Sequence, residues 1–337
     1  MLCVLALACA SAHARSTMTF PALDRPAMAV RAPERAVLLG AARAGKRVVA
    51  VGERGIICLS DDEARSWRQA RAVPVSVTLT AVQFVDDKLG WAIGHGGVIL
   101  HTQDGGETWE RQADGRSLAK AAHTMQPSTE MQALIDDGPD KPLLDLHFVD
   151  AKRGFVVGAY NLAFETRDGG ASWTSLMDRL DNSRGSHLYS IAMRGDAIFI
   201  AGEQGTLFRS TNSGASFTPL SSGYQGSWFK VLTSPAGVVV AGLRGNSMLS
   251  RDDGNTWVAI EGAPQVSFVG GTVLPDGRVL LVNQAGQLMI STNGGAYSAV
   301  ETQPLPQPSN VISIADGLLT VGLTGATVLP RPGAPRK

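Results

Sequence analysis

Residues 90–109 read GWAIGHGGVILHTQDGGETW: an apolar strand, a glycine-rich turn, a second apolar strand, and a tight loop closed by tryptophan. Residues of this kind in this order suit a pair of antiparallel strands followed by a hairpin, because the glycines supply positive φ and the apolar runs suit buried sheet. The unit recurs along the chain. The glycine that ends the first strand returns as Gly52, Gly94, Gly158, Gly202, Gly242 and Gly322, with Asn283 in the sixth place. The steps between these positions are 42, 64, 44, 40, 41 and 39 residues. A period near 40 residues is that of a four-stranded propeller blade, and the long second step marks an insertion of about 22 residues.

Eight residues after each of the first six marks stands a serine or threonine that opens a second signature: Ser60, Thr102, Thr166, Ser210, Ser250 and Ser291. Each segment resembles the Asp box, S/T-x-D-x-G-x-T/S-W, or BNR repeat, with Asp62, Asp104, Asp168, Asn212, Asp252 and Asn293 in the acidic position. Side chains of this type bond the amides of their own turn, the glycine permits a left-handed backbone, and the tryptophan packs the hairpin against the neighbouring sheet. Six copies identify a structural device between the third and fourth strands, so none of these carboxylates is read as catalytic. The seventh copy, with Gly322, has no Asp box, because eight residues on lies Pro330. Its outer strand is expected from the segment Arg25-Pro26-Ala27-Met28-Ala29-Val30, closing the ring end to end and covering the open sheet edges. The expected fold is therefore all-β: one seven-bladed propeller of four-stranded antiparallel blades over residues 15–330, with an insertion at about 112–142 and a tail at 331–337.

Residues 1–10, MLCVLALACA, are apolar but too short to span a bilayer, and Ala12-His13-Ala14 follows as an A-x-A cleavage site. A signal peptide ending at residue 14 is expected, and with it a periplasmic or secreted protein. A lipoprotein anchored through Cys9 ranks second, since Ala6 stands where leucine is preferred. Cys58 would then be the only thiol left, read as a small apolar strand residue. Lys+Arg and Asp+Glu both number 30, leaving no surplus of positive charge for phosphate contacts and arguing against nucleic acid as a partner. The histidines His95, His101, His123, His147 and His187 show no ligand spacing, so no metal and no small-molecule cofactor is expected.

In a blade the connections between second and third strands share a face with those linking one blade to the next. Unlike the Asp boxes, the second-to-third turns vary: Glu53-Arg54, His95-Gly96, Ala159-Tyr160-Asn161, Glu203-Gln204 and Leu243-Arg244. The insertion falls on the same face and contains a helical pattern around residues 118–125 and 131–135. Two other interblade connections carry Arg179, Arg184, Tyr224 and Trp228, residue types enriched at interface hot spots. The candidate binding residues are thus Glu53, Arg54, His95, Tyr160, Glu203, Gln204, Arg244, Arg179, Arg184, Tyr224 and Trp228.

Residues 90–109, and residues 154–173 (GFVVGAYNLAFETRDGGASW), are similar to the repeat of the photosystem II stability and assembly factor family, over residues 36 to 330. The resemblance implies a non-enzymatic scaffold, here a bacterial member expected to act as a monomer, that binds a membrane protein or membrane complex on its periplasmic side. The rival reading is a sialidase-like glycoside hydrolase. That chemistry needs an arginine triad and a tyrosine nucleophile paired with a carboxylate. Arg31-Ala32-Pro33 is a near miss for the first arginine motif, and Tyr160 with Glu53 or Glu203 could supply the pair.

Overall fold

The computed structural model describes residues 20–123 and 139–331. The expected signal peptide with Cys3 and Cys9, the second helical pattern of the insertion and the last six residues lie outside that range. Each period of the sequence becomes one antiparallel meander: six sheets have four strands and the seventh has three. The second strands, such as Gly90–Gly94 and Gly237–Gly242, are buried at every position, save for the half-buried first residues Arg47 and Ala197 in two of them. This explains why they read as unbroken apolar runs rather than alternating ones: both faces of each sheet are covered by neighbouring blades. The fourth strands of five blades are only two residues long and mostly exposed.

The core is divided as the ring is. Each of the seven buried apolar clusters sits between two neighbouring blades. Trp91 stacks on Phe148 with ring centroids 3.7 Å apart across the second interface, and Phe199 and Val231 meet in the cluster between the fourth and fifth blades.

Five Asp boxes close as their sequence demands. In the second blade the Thr102 hydroxyl donates to Asp104 Oδ1 at 2.8 Å and accepts the Gly106 amide at 3.0 Å. Asp104 also accepts the Thr108 amide at 2.9 Å and hydroxyl at 2.6 Å. The boxes of Asp62, Asp168 and Asp252 repeat this pattern, and that of Asn212 does so with one bond reversed, its side-chain amide donating to the Ser216 hydroxyl at 2.8 Å. The carboxylates of Asp62 and Asp252 are held down to about 2, chiefly by the Ser66 and Thr256 hydroxyls. The sixth turn departs from the expectation. It is one residue shorter, the Ser291 hydroxyl donates instead to the Gly295 carbonyl at 2.6 Å, and Asn293 adopts a left-handed backbone with φ 51°.

The box carbonyls also grip the preceding blade. Arg47 Nη1 donates to Gly105 O at 3.1 Å, Gln112 Nε2 to Gly169 O at 2.9 Å, Arg153 Nη2 to Ser213 O at 3.0 Å, Arg209 Nη1 to Asp253 O at 2.6 Å and Arg251 Nη2 to Asn293 O at 2.8 Å.

Closure of the ring corrects the sequence reading. The seventh blade has three strands among the described residues, and residues 25–30 do not add a fourth. They run instead along the first and second blades, where the Ala27 amide donates to Val73 O at 3.0 Å and the Gln69 side chain binds Met28 O and Val30 N. The seam is closed by side chains. Leu38, Val48 and Ala50 pack on Ile314, Leu319 and Val321, and Glu63 accepts the Ala315 amide at 2.7 Å. The last interface buries the same kind of apolar surface as the other six, so closure does not depend on a shared strand.

Candidate binding face

The inner strand of each blade starts beside the end of the second: Leu38 pairs with Gly52, Leu79 with Gly94, Leu188 with Gly202 and Trp228 with Gly242. The interblade connections and second-to-third turns therefore share one face, and the Asp boxes lie on the other. The helix Gly115–His123 of the insertion stands on the first of these faces, against the turn His95–Gly97. Its start is fixed by Asp114, whose carboxylate accepts the amides of Arg116 and Ser117.

The variable turns put a side chain at a backbone position that disfavours one. Arg54, Tyr160, Gln204 and Arg244 have φ of 54°, 53°, 52° and 57°. Each costs roughly 1–2 kcal/mol relative to an ordinary conformation. Arg54, Gln204 and Arg244 are exposed, and Tyr160 is 54% exposed. Their amides are tied to neighbouring loops: Tyr160 N–H donates to His187 Nδ1 at 2.9 Å and Arg244 N–H to Ser267 Oγ at 3.0 Å. His95 is also exposed, yet surrounding loops desolvate its ring enough to hold its pKa below the ordinary histidine value.

Other predicted residues serve the scaffold. Glu53 accepts the Val37 amide at 3.2 Å and Glu203 the His187 amide at 3.3 Å, so both carboxylates fasten the start of an inner strand. Trp228 is wholly buried in the cluster between the fourth and fifth blades and cannot meet a partner. Tyr224 packs on Trp228 with centroids 4.8 Å apart and donates its hydroxyl to Leu243 O at 3.0 Å. Arg179 reaches across an interface to Gly214 O at 2.8 Å, beside the buried Glu165 that it shares with Arg153 and Arg167. Arg184 remains exposed.

All seven inner strands carry a β-bulge at their second residue: Leu39, Thr80, Leu144, Tyr189, Phe229, Val269 and Ser309. A bulge leaves its residue out of the ladder and re-aims the side chain. These residues are half-buried and open the inner strands at the mouth of the central channel, with the Val269 side chain turned into the cluster between the sixth and seventh blades. Below them the channel holds a cavity of about 280 Å³ lined by the next residues of the same strands, including Asp145 and Lys230, which pair at 3.0 Å. Tyr189 and Phe229 meet edge to face with centroids 5.2 Å apart. The contact extends outward through His187, 6.1 Å from Tyr189, to Tyr160, 4.6 Å from His187, and the Lys141 ammonium lies 5.4 Å from the Tyr160 ring. This line of rings was missed because Tyr189 and Phe229 lie inside strands. The available signal was the doubled apolar residue that opens five of the inner strands, as in Leu188-Tyr189 and Trp228-Phe229, which breaks strict alternation.

Among the described residues Tyr160 is bonded to no carboxylate, Glu53 and Glu203 bind backbone amides, and Arg54, Arg184 and Arg244 belong to separate connections around the ring. What remains is the geometry of a seven-bladed propeller that presents partly apolar and cationic side chains around one mouth. The chain belongs to the photosystem II assembly factor YCF48 family, whose model matches residues 59–131 and 124–288. A segment of 77 residues is 39% identical to the photosystem II assembly lipoprotein Ycf48 of Synechococcus sp. (strain CC9902), covering 23% of each chain, so the match spans about a quarter of that relative. The fold is similar to that of YCF48 bound to D1 peptide (TM-score 0.65, 17% identity, 89% of this chain and 94% of that one). It is equally similar to YCF48 from Cyanidioschyzon merolae (TM-score 0.65, 14% identity, 91% and 99%). The WD40 propeller domain of Doa1 reaches the same TM-score of 0.65 at 14% identity over 90% of this chain and 94% of that one, so these superpositions speak to architecture alone.

Proposed function

We propose that this protein is a non-enzymatic, extracytoplasmic assembly factor that holds a segment of a membrane protein against the mouth of its propeller. One observation carries the reading: a continuous line of rings runs from the bulged residues Phe229 and Tyr189, where the inner strands open, through His187 to the exposed Tyr160. Aromatic side chains with an apolar body and a polar edge supply contact area at low entropic cost, as polypeptide recognition requires. The family and the similar structure of YCF48 bound to D1 peptide support a polypeptide partner. The relative called a lipoprotein agrees with a location outside the cytoplasm.

The test is capture of pulse-labelled membrane proteins from detergent-solubilised membranes by the immobilised protein and by its Tyr189→Ser/Phe229→Ser variant. The wild type should retain a newly made integral membrane protein that disappears from the bound fraction during a chase, and the variant should retain less than a tenth of it while still unfolding in one cooperative thermal transition above the assay temperature. Equal capture by the two proteins, or release of a reporter alcohol from an aryl sialoside, would refute the reading.

A further inference from the structure

A second concave site lies at the rim, away from the channel mouth. Residues 25–36 cross the first blade and enclose, with its turn Glu53–Gly55, a groove of about 530 Å³, larger than the cavity in the channel. Its walls are apolar, including Pro26, Ala29, Ala32 and Ile56, and Met28 beside it is 79% exposed while Val30 is 39% exposed. An unbranched thioether left in water beside a groove is a surface that adapts to an apolar ligand.

The charge around the groove is one-sided. Arg25, Arg31, Arg35 and Arg54 are all exposed. Among the described residues Arg25 and Arg31 form no ion pair, and Arg35 and Arg54 approach Glu34 and Glu53 only at 3.9 Å. Glu53 is already engaged with the Val37 amide, and Asp24 is committed to Arg111 and Arg116. Three of these arginines, Arg25, Arg35 and Arg54, line the groove, where Glu53 is the one carboxylate, and Arg31 lies next to it in the chain.

From this complementarity we infer that the groove docks an acidic polypeptide segment, seating one or two apolar side chains between flanking carboxylates that meet the arginines. Arginine suits this role, since its planar fork binds carboxylates bidentately at modest desolvation cost. This site deepens the assembly-factor reading by giving the partner a second point of attachment, yet it is separable from the channel mouth.

The probe is a fluorescein-labelled decapeptide of two adjacent leucines flanked by glutamates, with a lysine-flanked version as control. Fluorescence anisotropy with the full chain should show saturable binding of the acidic peptide, weakening about tenfold between 50 and 300 mM salt. The lysine peptide should not bind. Arg25→Glu/Arg35→Glu and Met28→Asp should each weaken binding by at least about tenfold. Both alter exposed side chains, so an unchanged melting temperature confirms that they fold. Equal binding of the two peptides, or wild-type affinity in both variants, would overturn the inference. So would binding that appears only after removal of residues 1–19, because the groove's occupant would then be the chain itself. The Tyr189→Ser/Phe229→Ser variant should bind this peptide normally, so failure at the mouth and failure at the groove give different results.

Discussion

Replacing Asp104 by alanine removes one carboxylate and, with it, three side-chain hydrogen bonds: to the Thr102 hydroxyl at 2.8 Å and to the Thr108 amide and hydroxyl at 2.9 and 2.6 Å. At about 1 kcal/mol net each, the loss comes to about 3 kcal/mol. The same turn presents Gly105 O to Arg47 of the first blade, so loosening it also weakens an interblade contact. The sixth blade supplies the internal control. Its Asn293 makes none of these side-chain bonds, and Asn293→Ala should cost at most about 1 kcal/mol, the difference in tolerance for its left-handed backbone. Urea unfolding followed by tryptophan fluorescence measures both, with the shift of midpoint read at constant slope. A loss below about 1 kcal/mol for Asp104→Ala, or equal losses at the two positions, would show that the bonds seen in the turn do not hold the blade together.

Lowering the pH should weaken the same turns. Because Asp62 and Asp252 are depressed to about 2 in the folded chain, the unfolded state binds protons first as pH falls below about 4. The stability they confer is present above that value and is lost down to pH 2. Melting temperatures across this window should fall less steeply for Asp62→Asn/Asp252→Asn than for wild type, and identical slopes would count against the assignment. Trp228→Ala should destabilise the ring by roughly 3–5 kcal/mol as a buried aromatic deletion, whereas Tyr189→Ser should cost under about 2 kcal/mol; thermal melts of the pair decide this. Cys58 is fully buried and burial pushes its thiol well above the usual range, so a disulfide reagent should label it only as fast as the protein unfolds. Labelling within seconds under native conditions would contradict its packing.

The blade was legible in the sequence because a propeller repeats its local rules: a glycine at each strand end, a hydroxyl eight residues on, a carboxylate two beyond that. Spacing also carried the warning about the sixth turn, where Ser291 to Tyr297 is one residue short. Tertiary choices were less visible. Nothing in residues 25–30 says which blade they lie against, since an extended segment can pair with an open edge or lie across a loop with equal local propensity. Trp228 looked like an interface residue by type, yet it occupies the place of Leu38, Leu79, Leu143 and Leu188 in other blades, the buried residue that opens the inner strand. Arg179 lies in the connection expected for it, but the sequence does not show that its guanidinium reaches to Gly214 O of the next blade. Arg54, Tyr160, Gln204 and Arg244 stood out in the sequence because those turns are free of the rules that fix the Asp boxes, and the structure places all four at exposed left-handed positions.

The seam between the last blade and the first has a mechanical meaning. Among the described residues no backbone hydrogen bond joins the two sheets; packed side chains and a few polar bonds, such as that of Arg65 to Asp316 at 2.9 Å, hold them, with the turn Pro33–Arg35 touching strands of both. A ring fastened by a shared strand must be unzipped residue by residue, whereas this one is fastened like a clasp. Its two end blades can part and meet again with every ladder intact, and the resistance to parting is set by the apolar surface they press together.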